Sequence, residues 1–177
     1  IPHQYDVPFT VNNIIGFPDE TRELAFDTVE LNRQWNADQM GCSILQPYYG
    51  TQLRPISVMK GYLHPDTICP ANSDDTLMNM PSFTAKEMKG LRRTFAMYVR
   101  YPKSRWKDIE KAEQLTPEGD RIWEELKQEY HDRYAPKIMN QMKLSDAFDD
   151  LAPLKSDINA SNKNASGGMG PSTGEII

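Results

Sequence analysis

The sequence predicts an α/β protein built on one strand–helix–strand unit, followed by an α-helical region and a polar tail. Three observations carry this. Residues 7–15 and 41–45 are short β-rich runs, and the 25-odd residues between them have helical character, which makes a βαβ crossover with parallel strands. No further strand–helix repeat follows, only capped, apolar-faced helical stretches over 84–134. From Lys155 onward Ser, Asn and Gly dominate, a composition that cannot bury a core.

Each element has its own reason. Val7, Phe9, Val11, Ile14 and Ile15 form a β-branched-rich run, the pattern of a strand buried on both faces. Gly16-Phe17-Pro18 breaks it, and Asp19, Glu20 and Thr21 can cap a helix running to about Trp35. Residues 41–45 read as the second strand, closed by Gln46-Pro47 and the turn at Tyr49-Gly50. Two parallel strands do not make a stable sheet alone. The expectation is therefore that these are the last strands of a larger α/β domain, whose other strands lie outside this chain.

Beyond Thr51, residues 53–63 suit a short helix ending at Gly61, and 64–81 is a Pro/Asp/Asn-rich loop long enough to act as a functional cover. Thr84-Ala-Lys-Glu87 is a capping box opening a helix to about Tyr101. After Pro102, Ser104 can cap a helix to Glu113. Thr116-Pro117-Glu118 then starts a third, to about Tyr134. A further short helix is expected over 136–148. The domains expected are 1–63, 64–150 and a flexible tail, 151–177.

The bulk numbers exclude several functions. A formal charge of −5 argues against nucleic acid as a partner. No apolar run approaches the roughly 20 residues of a membrane span, and neither a signal peptide nor a location outside the cytoplasm is expected. The only two cysteines, Cys42 and Cys69, match no zinc or iron–sulfur spacing, and reduced thiols are favoured over a disulfide. Asn159 and Asn164 match the glycosylation pattern, which means nothing in a cytosolic setting.

Ligands of parallel α/β sheets bind at the C-terminal strand ends. Two segments qualify: 16–21 after the first strand and 46–51 after the second. Gly16 could admit a flat ligand to the backbone with Ile14 beside it, and Gln46, Tyr48 and Thr51 could offer polar contacts. Alternatively, Gly16 and Gly50 only make tight turns. Phosphate loops, Gly-x-Ser-x-Gly elbows and His-Glu-x-x-His are all absent. His3, His64 and His131 are scattered, and the acidic pairs Asp74-Asp75 and Asp149-Asp150 read as surface. Arg92-Arg93 is a candidate anion contact, with a salt-bridged face as the plainer reading.

In order along the chain, IIGFPDETRE (14–23), QPYYGTQLR (46–54) and KGYL (60–63) resemble the second half of the radical S-adenosylmethionine barrel. There, a strand ending in a Gly-x-Pro-x-Glu-Thr turn precedes one ending in Pro-Tyr-x-Gly-Thr. MPSFTAKEMKGLRRTFAMYVRYPKSRWKDIEKAE (80–113) is similar to the helical region of the cobalamin-binding subclass. The resemblance implies the last βαβ unit of a partial (β/α)6, TIM-barrel-like fold followed by an α-helical extension. It also implies an enzyme that cleaves S-adenosylmethionine to a 5′-deoxyadenosyl radical for methyl transfer or oxidative cyclisation of a small-molecule substrate.

By position, Ile14, Gly16, Phe17 and Asp19 of the first motif, and Gln46, Pro47 and Tyr48 of the second, would contact the cofactor. Asn12 stands where the motif has its earlier glycine, and Asp19 where it has glutamate. The [4Fe–4S] cluster needs a Cys-x₃-Cys-x₂-Cys loop that this chain lacks, so cluster and cobalamin are expected only in the full-length protein. The remainder of the barrel and a cobalamin-binding domain are then its partners, and this chain alone supplies no catalytic or metal residue. The competing expectation is a non-catalytic helical interaction module with a remnant βαβ unit.

Overall fold

A computed structural model describes residues 2–5, 7–70 and 75–145, with side chains described as far as Tyr134. The chain divides into two compact units, 1–136 and 137–177. The expected tail, the Asp149-Asp150 pair and the far end of the 136–148 helix lie outside the described residues.

The protein is mixed α/β. A 3-10 turn, Pro2–Tyr5, leads to β1 (Thr10–Ile15), α1 (Arg22–Trp35), β2 (Gln39–Ile44) and α2 (Leu53–Met59). Then come α3 (Ala85–Arg100), a 3-10 turn Lys103–Arg105, α4 (Trp106–Ala112) and α5 (Pro117–Ser145). β1 and β2 pair in parallel, Thr10 opposite Gln39 through Ile15 opposite Ile44, as the crossover demands. Residues 7–9 do not join the ladder. Phe9 instead anchors the chain's entry, its N–H donating to Asp38 Oδ2 (2.9 Å) and its carbonyl accepting from Asp38 N (3.1 Å).

The helix starts follow the sequence signals closely. Thr21 Oγ1 accepts from Leu24 N, and Asn36 ends α1 in the left-handed conformation (φ 49°). Thr84 and Glu87 form the full capping box of α3. Thr116 Oγ1 accepts from Gly119 N at the start of α5. Ser104 caps nothing: it lies within the 3-10 turn that precedes α4. One helix, Pro117–Ser145, replaces the two expected on either side of Pro136. A proline removes one ladder hydrogen bond and crowds the preceding turn, yet strong helix formers on both sides carry the helix through.

The core holds Ile15, Val29, Ile44, Met88, Leu91, Phe95, Tyr98, Tyr101, Ile109 and Leu126 in one cluster. Met78, Met80 and Phe83 also belong to it, 2%, 0% and 0% exposed. Met78 and Met80 of the expected cover loop are therefore built into the core. Four arginines hold helix and loop ends by donating to carbonyls. Arg33 reaches Tyr98, Val99 and Tyr101, Arg100 reaches Ala37 and Asp38, Arg93 reaches Ala112 and Gln114, and Arg54 reaches Pro47, Pro65 and Thr67.

The strand was expected to be buried on both faces; only one is. In-register partners share a face, so Val11, Asn13 and Ile15 lie with Met40, Cys42 and Ile44 on the helix side. Asn13 and buried Asn32 of α1 exchange side-chain hydrogen bonds there (2.7 and 3.2 Å). The other face carries Thr10, Asn12, Ile14, Gln39, Gly41 and Ser43, with Thr10, Asn12 and Ile14 exposed. No described element covers β1 on that side, which leaves Ile14 49% exposed.

Candidate functional site at the strand ends

The two turns expected to bind a ligand emerge side by side, because Leu45 N donates to Ile15 O (2.8 Å) where the parallel ladder ends. Gly16 has φ +87°, and a Cβ there would lie 2.8 Å from Met88 Sδ and 3.3 Å from Ile44 Cγ2. Both the turn conformation and the close approach of α3 therefore require glycine. The space over its Cα is taken by protein, so Gly16 serves the tight-turn reading directly.

Glu20, which sequence reasoning used only as a helix-capping acid, closes the first turn. Its Oε2 accepts from Gly16 N and from Phe17 N (3.1 Å). Burial pushes its carboxyl up while those two N–H groups pull it down, and burial prevails. Asp19 sits at φ 67° and points outward, accepting from Lys60 Nζ (2.7 Å) and Tyr62 OH (2.8 Å). These two partners hold its carboxyl below the usual range. The motif KGYL thus reaches the first turn through Lys60 and Tyr62. Phe17 is exposed beside it.

The second turn is organised by Arg54, 6% exposed, which the sequence reading passed over. Its guanidinium lies 3.5 Å over the Tyr49 ring and donates to the carbonyls of Pro47 (3.1 Å), Pro65 (2.7 Å) and Thr67 (2.6 Å). Tyr48 OH donates to Pro70 O (2.8 Å) and Tyr49 OH to Pro65 O (3.1 Å). The 64–70 loop is fastened to the turn at all these points. Pro47 is buried. Gln46, 6% exposed, donates through Nε2 to Asp75 O (2.5 Å), and its Oε1 meets no donor among the described residues.

Of the seven site residues expected from the sequence, six lie along these two turns and Ile14 is on β1 just before the first. Ile14, Phe17, Asp19 and Tyr48 present exposed surface, whereas Gly16, Gln46 and Pro47 are buried. The Arg92-Arg93 pair resolves differently. Arg93 is bound to Ala112 O, Gln114 O and Asp120 (2.6 Å), which is the salt-bridged reading.

Cys42 lies on the helix face of β2, where burial pushes its thiol up to about 12, and Cys69 Sγ donates to Pro47 O (3.4 Å). Both thiols are free, and no group of three or more His, Cys, Asp or Glu able to hold a metal occurs among the described residues. A buried, protonated Cys42 and a carbonyl-bound Cys69 do not fit an iron–sulfur cluster. No helix among the described residues is long and apolar enough to cross a membrane.

Comparison with known proteins adds one finding. The chain is 32% identical over 97 residues to an uncharacterized methyltransferase of Pyrococcus horikoshii, a match covering 54% of this chain and 21% of that protein. The chain thus spans about a fifth of the relative's length. No protein-family model matches it, and no solved structure matches it.

Proposed function

We propose that this chain is the C-terminal portion of a radical S-adenosylmethionine enzyme of the cobalamin-binding subclass, acting in methyl transfer. On this reading, residues 1–63 are the last βαβ unit of a partial (β/α)6 barrel, and 64–150 are the helical region that closes its mouth over a small-molecule substrate. The observation that carries it is the sheet itself. Two parallel strands end in adjacent, internally braced turns, with one face packed on helices and the other left open and largely polar. In a partial barrel that holds a polar cofactor, such a face would line the cavity. The likeness to a methyltransferase over 54% of the chain supports methyl transfer over oxidative cyclisation.

Ile14, Phe17, Asp19, Gln46, Pro47 and Tyr48 would then surround the adenosyl end of S-adenosylmethionine, with Gly16 shaping the turn. The [4Fe–4S] cluster and cobalamin belong to other parts of the full-length protein. The chain's own residues do not fit the cluster, and its role is to position the cofactor and exclude water. The competing interaction-module reading draws on an exposed apolar stripe of α1, formed by Leu24, Leu31 and Trp35 at 53%, 43% and 49% exposure. The separating experiment is anaerobic iron–sulfur reconstitution of the product of the whole reading frame. With a reductant and S-adenosylmethionine it should yield 5′-deoxyadenosine. A protein that takes up no cluster and forms none would leave only the interaction module.

A further inference from the structure

We infer that Gln46 selects the adenine base of the adenosyl group, accepting the exocyclic amine on its Oε1; the inference rests on the adenosyl site proposed above. Gln46 stands two residues beyond β2 and is 6% exposed. Its amide orientation is set by Nε2, which donates to Asp75 O at 2.5 Å. Asp75 is itself held, its carboxylate on Lys89 Nζ (2.6 Å) and on Thr76 N (2.7 Å). Turning the amide over would set oxygen against oxygen, so Oε1 is fixed as the free end. No donor among the described residues reaches it. A buried acceptor left in this state is costly and calls for a donor from outside.

S-adenosylmethionine carries three kinds of donor: ribose hydroxyls, the ammonium of its amino-acid end, and the amine of the base. The first two are strongly hydrated and suit open, polar surroundings. The base is flat and largely apolar, matching the exposed Ile14, Phe17 and Tyr48 at the same strand ends. Its amine is the donor that enters with the ring. Hypoxanthine replaces that amine with a carbonyl oxygen, which would face Oε1 with a second acceptor. The site should therefore reject it.

The test is an NMR titration of the product of the whole reading frame, labelled at glutamine and phenylalanine, with S-adenosylhomocysteine and with its inosine counterpart. Wild type should bind the adenine ligand at least about tenfold more tightly, shifting the Gln46 side-chain amide and the Phe17 amide. Gln46→Met should bring the two ligands within about twofold of each other. Thermal melting of the variant confirms that it is folded. Equal binding of both ligands by wild type, as when only water occupies Oε1, overturns the assignment of Gln46 and leaves the adenosyl site standing. Binding of neither overturns the adenosyl site, and this inference with it.

Discussion

Replacing Gly16 with alanine tests how the first turn is built. A residue with a Cβ held in the left-handed region costs about 1–2 kcal/mol. The new methyl group would start 2.8 Å from Met88 Sδ and 3.3 Å from Ile44 Cγ2. Because Met88 is fully buried, it cannot swing clear, and relieving the overlap by repacking costs about 1–3 kcal/mol more. Restricting the unfolded chain returns about 0.4–1 kcal/mol. The net loss expected is about 1–4.5 kcal/mol, read from urea unfolding. Gly50 provides the control, since its φ is +83° with nothing within 4 Å of a Cβ. Gly50→Ala should therefore lose only the conformational part, about 1 kcal/mol. In a double-mutant cycle, Gly16→Ala and Met88→Ala together should cost less than their sum by about 1–3 kcal/mol, because one makes room for the other. A Gly16→Ala loss under about 0.5 kcal/mol, or additivity within that margin, would refute the packing account.

Other consequences follow from the same geometry. Arg54→Met leaves the carbonyls of Pro47, Pro65 and Thr67 without their charged donor. It should cost about 2–4 kcal/mol and open residues 64–70 to limited proteolysis, and Arg54→Lys should restore little because it lacks the planar fork. An unchanged cleavage pattern would contradict the clasp. Glu20 has a carboxyl raised above its ordinary 4.5 by burial, so the folded state holds its proton more tightly than the unfolded chain does. Its contribution is full below 4.5 and is lost as pH rises through the raised value. Glu20→Gln should gain stability relative to wild type between pH 4 and 7, measured by denaturant midpoints; a constant difference would refute the assignment. With its thiol near 12, Cys42 is about one part in ten thousand thiolate at pH 8. Iodoacetamide on the native chain should modify Cys69 first and reach Cys42 only in denaturant, as read by peptide mass mapping.

Much of this architecture is legible in the sequence because its signals are local. The capping box at Thr84 and Glu87, the Thr116-Pro117 helix start and the glycine after the first strand each act within a few residues, and each appears as expected. The tertiary determinants are not local. Arg54 reads as one more helical arginine until the fold brings Pro65 and Thr67 to it. Glu20 reads as a helix-capping acid, although it turns back onto Gly16. Ile14 looks like a core residue by composition, and only the register with Ser43 shows that it occupies the open face. Pro136 reads as a stop because proline usually is one, and the flanking helix formers override it. The expected site residues lie at or just beyond the ends of two strands that the crossover makes parallel neighbours. Whether a side chain there is exposed or buried, as with Tyr48 against Gln46, depends on packing from residues 64–70 and 75–83.

The central claim is that these strands end a barrel whose cluster-binding part lies upstream, and the most direct measurement is the nucleotide sequence of the coding region before Ile1. The account predicts an in-frame Cys-x₃-Cys-x₂-Cys following a strand pattern, with a Rossmann-like stretch ahead of it that would bind cobalamin. A start codon immediately before Ile1, with no such cysteines in frame, would contradict it.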